Sequence, residues 1–140
     1  MRWNTLLFLA EKTLAEGGGD TDTDFSGAVY SNAALKEARL RAAISRAYYA
    51  AFHAAKDKWE SFFPHDLLPR DSPHQKLMDN FGFSTQREWR TLSDNLKQLR
   101  DWRHQADYHD QFPNLEDTAS FAIGRCDTIL ETTRDLKRDA

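Results

Sequence analysis

The chain has 140 residues, a single cysteine and a formal net charge of −3, with 40% hydrophobic and 29% charged residues. A chain of this length buries roughly two thirds of its surface on folding, enough for a core without staples; Cys126 alone gives no disulfide framework or zinc-ribbon pattern, which suits a reducing cytoplasm. Leu6 to Ala10, the longest apolar run near the N-terminus, is too short for a membrane span or a signal-peptide core, and the negative charge argues against coating nucleic acid by bulk electrostatics.

In chain order, Trp3 to Leu14 reads as a short amphipathic helix closed by Gly17-Gly18-Gly19. The Gly/Asp/Thr/Ser-rich stretch 16–26 reads as a flexible connection, too short to divide the single domain expected over 1–140. Ser31 or Asn32 caps a long helix reaching about Phe63 and stopped by Pro64, with an apolar stripe at Ile44, Tyr48, Ala51, Phe52, Ala55, Trp59 and Phe62. Ser72-Pro73-His74-Gln75 combines a cap, a proline at the first helical position and a glutamine completing a capping box. This short helix ends near Gly82, and His65 and His74 read as loop and helix-start residues. Ser84 or Thr85 opens a fourth helix, with Trp89, Leu92, Leu96 and Leu99 on one face, reaching about His104. Asn114 opens the last, supported by Glu116 and Asp117 near its positive end, with Phe121, Ile123, Cys126, Ile129 and Leu130 on its core side. No segment shows sustained strand alternation and no internal repeat is present, so the expected fold is an all-α bundle of four to five helices.

Charge is unevenly distributed. Residues 34–58 hold six basic and two acidic residues, whereas 107–140 hold eight acidic and four basic ones, and 11–24 hold five acidic residues and one lysine. A basic middle between acidic ends hints at an anionic ligand near the middle, although any single run also suits a solvated helix face.

Two polar groups stand where a plain bundle would not need them. Arg39, Arg46 and His53 recur every seven residues on the long helix, with Tyr49 beside them, on a stripe roughly opposite Ile44, Ala51 and Trp59. On the fourth helix the apolar positions 89, 92, 96 and 99 project forward to Arg103, which should point inward or into a cleft near the helix end. His104, Asp107, Tyr108 and His109 follow. An arginine can hold a phosphate and neutralise a pentacoordinate transition state while a nearby histidine moves a proton, and attack by an RNA 2′-hydroxyl then needs only a base, an acid and charge stabilisation.

The segments Ser45-Arg46-Ala47-Tyr48-Tyr49-Ala50-Ala51-Phe52-His53-Ala54-Ala55 and Leu99-Arg100-Asp101-Trp102-Arg103-His104-Gln105-Ala106-Asp107-Tyr108, with Ser72-Pro73-His74-Gln75 between them, resemble the HEPN domain family over residues 34–135. The second segment resembles the family's Arg-x-x-Ala-Asp-Tyr branch. The resemblance implies an up-and-down helical bundle, usually a homodimer, and for many members a metal-independent ribonuclease with an Arg-x(4–6)-His motif. Such members often act as toxins paired with a small nucleotidyltransferase antitoxin (MNT-type). Residue by residue, Arg103 matches the motif arginine and His109 the histidine after five intervening residues, while Tyr108 stands where the best-known toxin form has its histidine.

The resulting expectation is an endoribonuclease acting at a dimer cleft, with Arg103 and His109 catalytic and Arg46, Tyr49, His53, His104, Asp107 and Tyr108 binding or supporting. The alternative is a non-catalytic module that binds nucleotide, RNA or a partner and works with a nucleotidyltransferase. Tyr49 and His53 equally suit a helix-packing or dimer-interface pair, and Arg46 a structural ion pair with Asp107. No cofactor and no metal site is implied: His104, Asp107 and His109 have no recognised ligand spacing, and Gly17-Gly18-Gly19 lacks the Lys-Ser/Thr of a phosphate loop. The expected partners are a second copy of the chain, RNA or nucleotide and a nucleotidyltransferase antitoxin, with no membrane.

Overall fold

The computed structural model describes residues 22–23, 29–30, 32–64, 66 and 73–138. The proposed helix Trp3–Leu14, the glycine triplet, His65 and Ser72 lie outside the described residues. A two-residue antiparallel pairing joins β1 (Asp22–Thr23) to β2 (Val29–Tyr30), aligning Asp22 with Tyr30 and Thr23 with Val29. Two residues per strand are too few to show the alternation that marks a strand in sequence.

Four helices follow: α1 (Asn32–Phe62), α2 (Pro73–Gly82), α3 (Arg87–Tyr108) and α4 (Leu115–Asp135). α1 is 31 residues long, about 46 Å at the usual helical rise. Ten alanines favour the helix, and those at 43, 47, 50, 51 and 55 are buried and leave room for close neighbours. Pro64 prevents its continuation, and the last turn closes with Phe63 N–H donating to the Trp59 carbonyl. α4 and α3 pack along α1, and α2 packs chiefly on α3. Trp59, Phe81 and Trp89 fill one end of the core with Phe62 and Phe63 against them; Leu92, Leu96, Leu99, Ile44 and Ile129 continue it.

α2 starts at Pro73, as its sequence predicts, but Gln75 does not reach back to a cap: it donates to Asp79 at 2.9 Å and accepts from Arg100 at 2.8 Å. Where α2 meets α3, the buried Ser93 hydroxyl donates to the Met78 carbonyl at 2.7 Å. A Cβ at Gly82 would lie 3.1 Å from that hydroxyl oxygen, a tight contact, and Ser93 would have to yield by a few tenths of an ångström to admit it.

α3 begins at Arg87, two to three residues later than the serine and threonine suggest. Ser84 Oγ accepts from the Gln86 N–H, and Arg90 holds the carbonyls of Ser84 and Thr85. In α4 the buried stripe is Ala119, Ala122, Ile123, Cys126, Ile129 and Thr133. Phe121, expected in the core, is 63% exposed, because it lies two residues from Ala119 and Ile123 and so projects away from that stripe. It lines an open groove with Trp102, Gly124 and Arg125. Among the described residues no helix is long and apolar enough to cross a membrane.

Candidate functional site

The site grows from the way α3 ends. No helix breaker follows Arg100 until Pro113, and α3 runs past the expected stop at His104 to Tyr108. His109 is its extended C-cap, donating its N–H to the Gln105 carbonyl at 3.0 Å. The last carbonyls of a helix have no partner within it. Arg41 of α1 supplies one: its guanidinium donates to the carbonyls of Ala106 at 2.9 Å, His109 at 2.6 Å and Asp110 at 2.9 Å, and more weakly to Gln105 at 3.3 Å. Glu37, one turn back, pairs with the same guanidinium at 3.0 Å and fixes its orientation. Beyond this anchor the chain reverses through Asn114, whose left-handed backbone (φ 57°) admits asparagine better than most residues, and enters α4.

The anchored end of α3 presents two groups of side chains. The first faces α1 and α2. Arg103 points inward, as the stripe predicts: its side chain is only 16% exposed, and its guanidinium lies 5.3 Å from the Tyr48 ring centre and 5.6 Å from that of Tyr49. Asp107, one turn on, pairs with it at 3.2 Å, yet Arg103 Nε is buried with no hydrogen-bond partner. The Tyr48 hydroxyl meets His74 Nδ1 at 2.5 Å, and the His74 ring stacks on Phe52 with centres 3.9 Å apart. Tyr49 contacts His53 and the edge of His74. Arg100 borders the same recess through its bond to Gln75.

Burial pushes the Tyr48 hydroxyl far above the usual tyrosine range, outweighing the opposite effect of Arg100 and Arg103, so it keeps its proton. Burial also lowers the pKa of His74, and the positive charges of Arg100 and Arg103 and the neighbouring His53 reinforce this. His53 is lowered by burial first and then by Lys56.

The second group faces outward. The His104 ring lies 4.8 Å from Tyr108 and 5.7 Å from His109, and Tyr108 is 68% exposed. Among the described residues no hydrogen bond, ion pair or ring contact joins Arg103 to His109 within the chain. Asp107 forms its ion pair with Arg103, not the pair with Arg46 that the sequence suggested; Arg46 is exposed on α1. Among the described residues no three His, Cys, Asp or Glu side chains gather as a metal-ion site.

Arg41 and His74 were not picked out from sequence as site residues, although helical periodicity marks both. Arg41 lies three residues before Ile44 and seven before Tyr48, so it extends the buried stripe of α1. His74 stands three, four and seven residues before the buried Leu77, Met78 and Phe81.

Fold and site together define an all-α domain with a cationic, aromatic cluster where α1, α2 and α3 meet. The HEPN domain family model matches residues 29–136, most of the chain, and the chain belongs to that family. Membership points to ribonucleases or nucleotide-binding modules as the class, among domains that often dimerise and bind RNA. Neither the curated proteins nor the solved structures include a significant match to the chain.

Replacing Arg41 by Ala leaves the end of α3 without its donor and should cost about 2–3 kcal/mol of stability, with Arg41→Lys recovering little because an ammonium cannot span the same fork of carbonyls. Urea denaturation measures the loss, and faster amide exchange confined to the last turn of α3 and the turn after it locates the effect.

His74 and His53 give the fold a pH dependence of definite sign. With folded values below the usual imidazole value near 6.5, the unfolded chain binds more protons as pH falls below that value. Their contribution is complete above the unfolded value and is lost as pH falls towards the folded one. The urea midpoint should therefore drop between about pH 7.5 and about pH 5.5, and drop less in His74→Phe.

Proposed function

We propose that the chain is a metal-independent endoribonuclease that cleaves RNA by 2′-hydroxyl attack in a cleft shared by two copies. The observation that carries this reading is the set of groups on the last two turns of α3 and its cap: an arginine with an unsatisfied buried Nε and two neighbouring imidazoles, His104 and His109. These supply what the reaction requires. Arg103 binds the scissile phosphate and stabilises the charge on its pentacoordinate transition state. His109 takes the proton from the 2′-hydroxyl as its oxygen bonds to phosphorus, and an imidazolium (His104 or the second copy's own histidine) protonates the departing 5′-oxygen as the P–O5′ bond breaks. The products are a 2′,3′-cyclic phosphate and a 5′-hydroxyl end. Tyr108, exposed beside His104, offers a ring on which a splayed base can stack. Arg46, Tyr49 and His53 line the approach along α1.

Because Arg103 and His109 do not meet within one chain, the pair is completed between protomers related by a two-fold axis. The expected result is RNA cleavage in EDTA, lost in Arg103→Ala and in His109→Ala by roughly a hundredfold or more. Mixing and re-annealing the two inactive variants should restore about a quarter of wild-type activity, since half the dimers are mixed and each mixed dimer has one intact site of two. A wild-type protein inert towards RNA at matched purity rules the reading out, and a failure of the mixture to recover activity rules out the shared cleft.

A second reading is favoured by the exposure of Tyr108: a non-catalytic module that binds nucleotide or RNA and works with a nucleotidyltransferase antitoxin. In that pairing the Tyr108 oxygen attacks the α-phosphorus of a nucleoside triphosphate held by the partner enzyme and pyrophosphate leaves. Co-expression with such an enzyme should add one nucleotide mass to a peptide containing Tyr108, and Tyr108→Phe should abolish the addition.

A further inference from the structure

We infer that His74, together with Arg100 and Arg103, forms a phosphate subsite in the recess between α1, α2 and α3, and that it receives an RNA phosphodiester through the imidazole Nε2–H. The inference rests on RNA being the ligand of the proposed site, and it adds to that site a histidine from a different helix.

The geometry assigns the proton. The buried Tyr48 hydroxyl contacts His74 Nδ1, and among the described residues it has no other acceptor, so it donates in that contact sooner than leave its own hydrogen buried and unpaired. Nδ1 therefore accepts, and the proton of the neutral imidazole resides on Nε2. Among the described residues no side chain or carbonyl takes the Nε2–H. Stacking on Phe52, with ring planes within 14° of parallel, prevents the imidazole from turning, so this donor has a fixed direction.

Its surroundings suit an anion. Arg100 and Arg103 lie close enough to act on the His74 charge, and Arg103 brings a buried Nε–H that nothing among the described residues satisfies. His74 is the second residue of the ten-residue α2, within the first turn where the helix dipole favours negative charge. A neutral imidazole N–H donates without adding a third positive charge to those of Arg100 and Arg103, so the ligand-free chain avoids the cost of three clustered cations.

The test measures binding separately from cleavage. The full chain is titrated with a fluorescently labelled 2′-O-methyl RNA oligonucleotide, which lacks the attacking hydroxyl, and anisotropy gives the affinity. The informative variant is the double substitution Tyr48→Phe with His74→Phe, which removes the Nε2–H, keeps the ring stack and leaves no orphaned tyrosine hydroxyl. It should bind at least about tenfold more weakly than wild type, as expected for loss of one hydrogen bond to a charged phosphate. Binding as tight as wild type, in a variant with an unchanged thermal melt, overturns the inference. Imidazole nitrogen NMR of the wild type provides a readout that does not depend on the variant folding: the His74 Nε2 and Hε2 signals should shift as the oligonucleotide saturates, and their constancy at saturation overturns the inference.

Parallel assays on unmodified RNA separate the two failures. Binding that depends on His74 without cleavage supports the subsite and rules out the ribonuclease reading. Cleavage with binding indifferent to His74 does the reverse, and a wild type that binds no RNA overturns both.

Discussion

The C-terminal carbonyls of α3 are the constraint around which the site is organised. A helix ending at the edge of a bundle leaves four acceptors without partners, and burying them unsatisfied is costly. Arg41 meets part of this demand from the neighbouring helix, through Ala106 and more weakly Gln105, and also holds the His109 and Asp110 carbonyls that follow, with Glu37 keeping it in place. The same contact sets the angle at which α3 meets α1, and thereby the position of every side chain on its last two turns. Arg103 and Asp107 face α1 because the anchored helix turns them that way, and His104 and Tyr108 face outward for the same reason. The cation with the greatest positional effect on the site is thus one that points its charge at backbone carbonyls.

Tyr48 is the second point of dependence. Its ring is fully buried, and its hydroxyl is satisfied by His74. One side chain therefore joins α1 to the start of α2, carries the Arg103 guanidinium over its ring and determines which nitrogen of His74 bears a proton. A buried polar network of this kind imposes specificity when each member is satisfied. Here the exception is Arg103 Nε, and it lies where a ligand is expected.

Most of the architecture is legible in the sequence, for physical reasons that can be named. Alanine content and the spacing of Ile44, Tyr48, Phe52 and Trp59 define α1, while Pro64 and Pro73 bracket the connection to α2. The end of α3 is less legible, because Arg103-His104-Gln105 has the polarity of a loop although nothing in it breaks a helix; the satisfaction that prolongs α3 comes from a residue more than sixty positions earlier. Phe121 was misplaced because hydrophobicity was weighed above its angular position on α4. The inward direction of Arg103 is legible because it continues the stripe of Trp89, Leu92, Leu96 and Leu99. Arg41 and His74 lie on equally regular stripes, but both had ready explanations as a surface charge and a helix-start residue. The proposed pairing of Arg103 with His109 across two copies is a matter of assembly, which the pattern of one chain does not encode.

The ion pairs of α1 alter what its basic composition means for a polyanion. Of the six basic residues in the middle of the sequence, Lys36 is paired with Glu116, Arg41 with Glu37 and Lys56 with Glu60. Half of the apparent excess is thus neutralised by carboxylates before any ligand arrives. For the proposed RNA ligand, the salt dependence of affinity is then set by the phosphates actually contacted and not by the count of lysines and arginines. A polyanion meeting such a surface would be held by local contacts and not gathered from a distance by an electrostatic field.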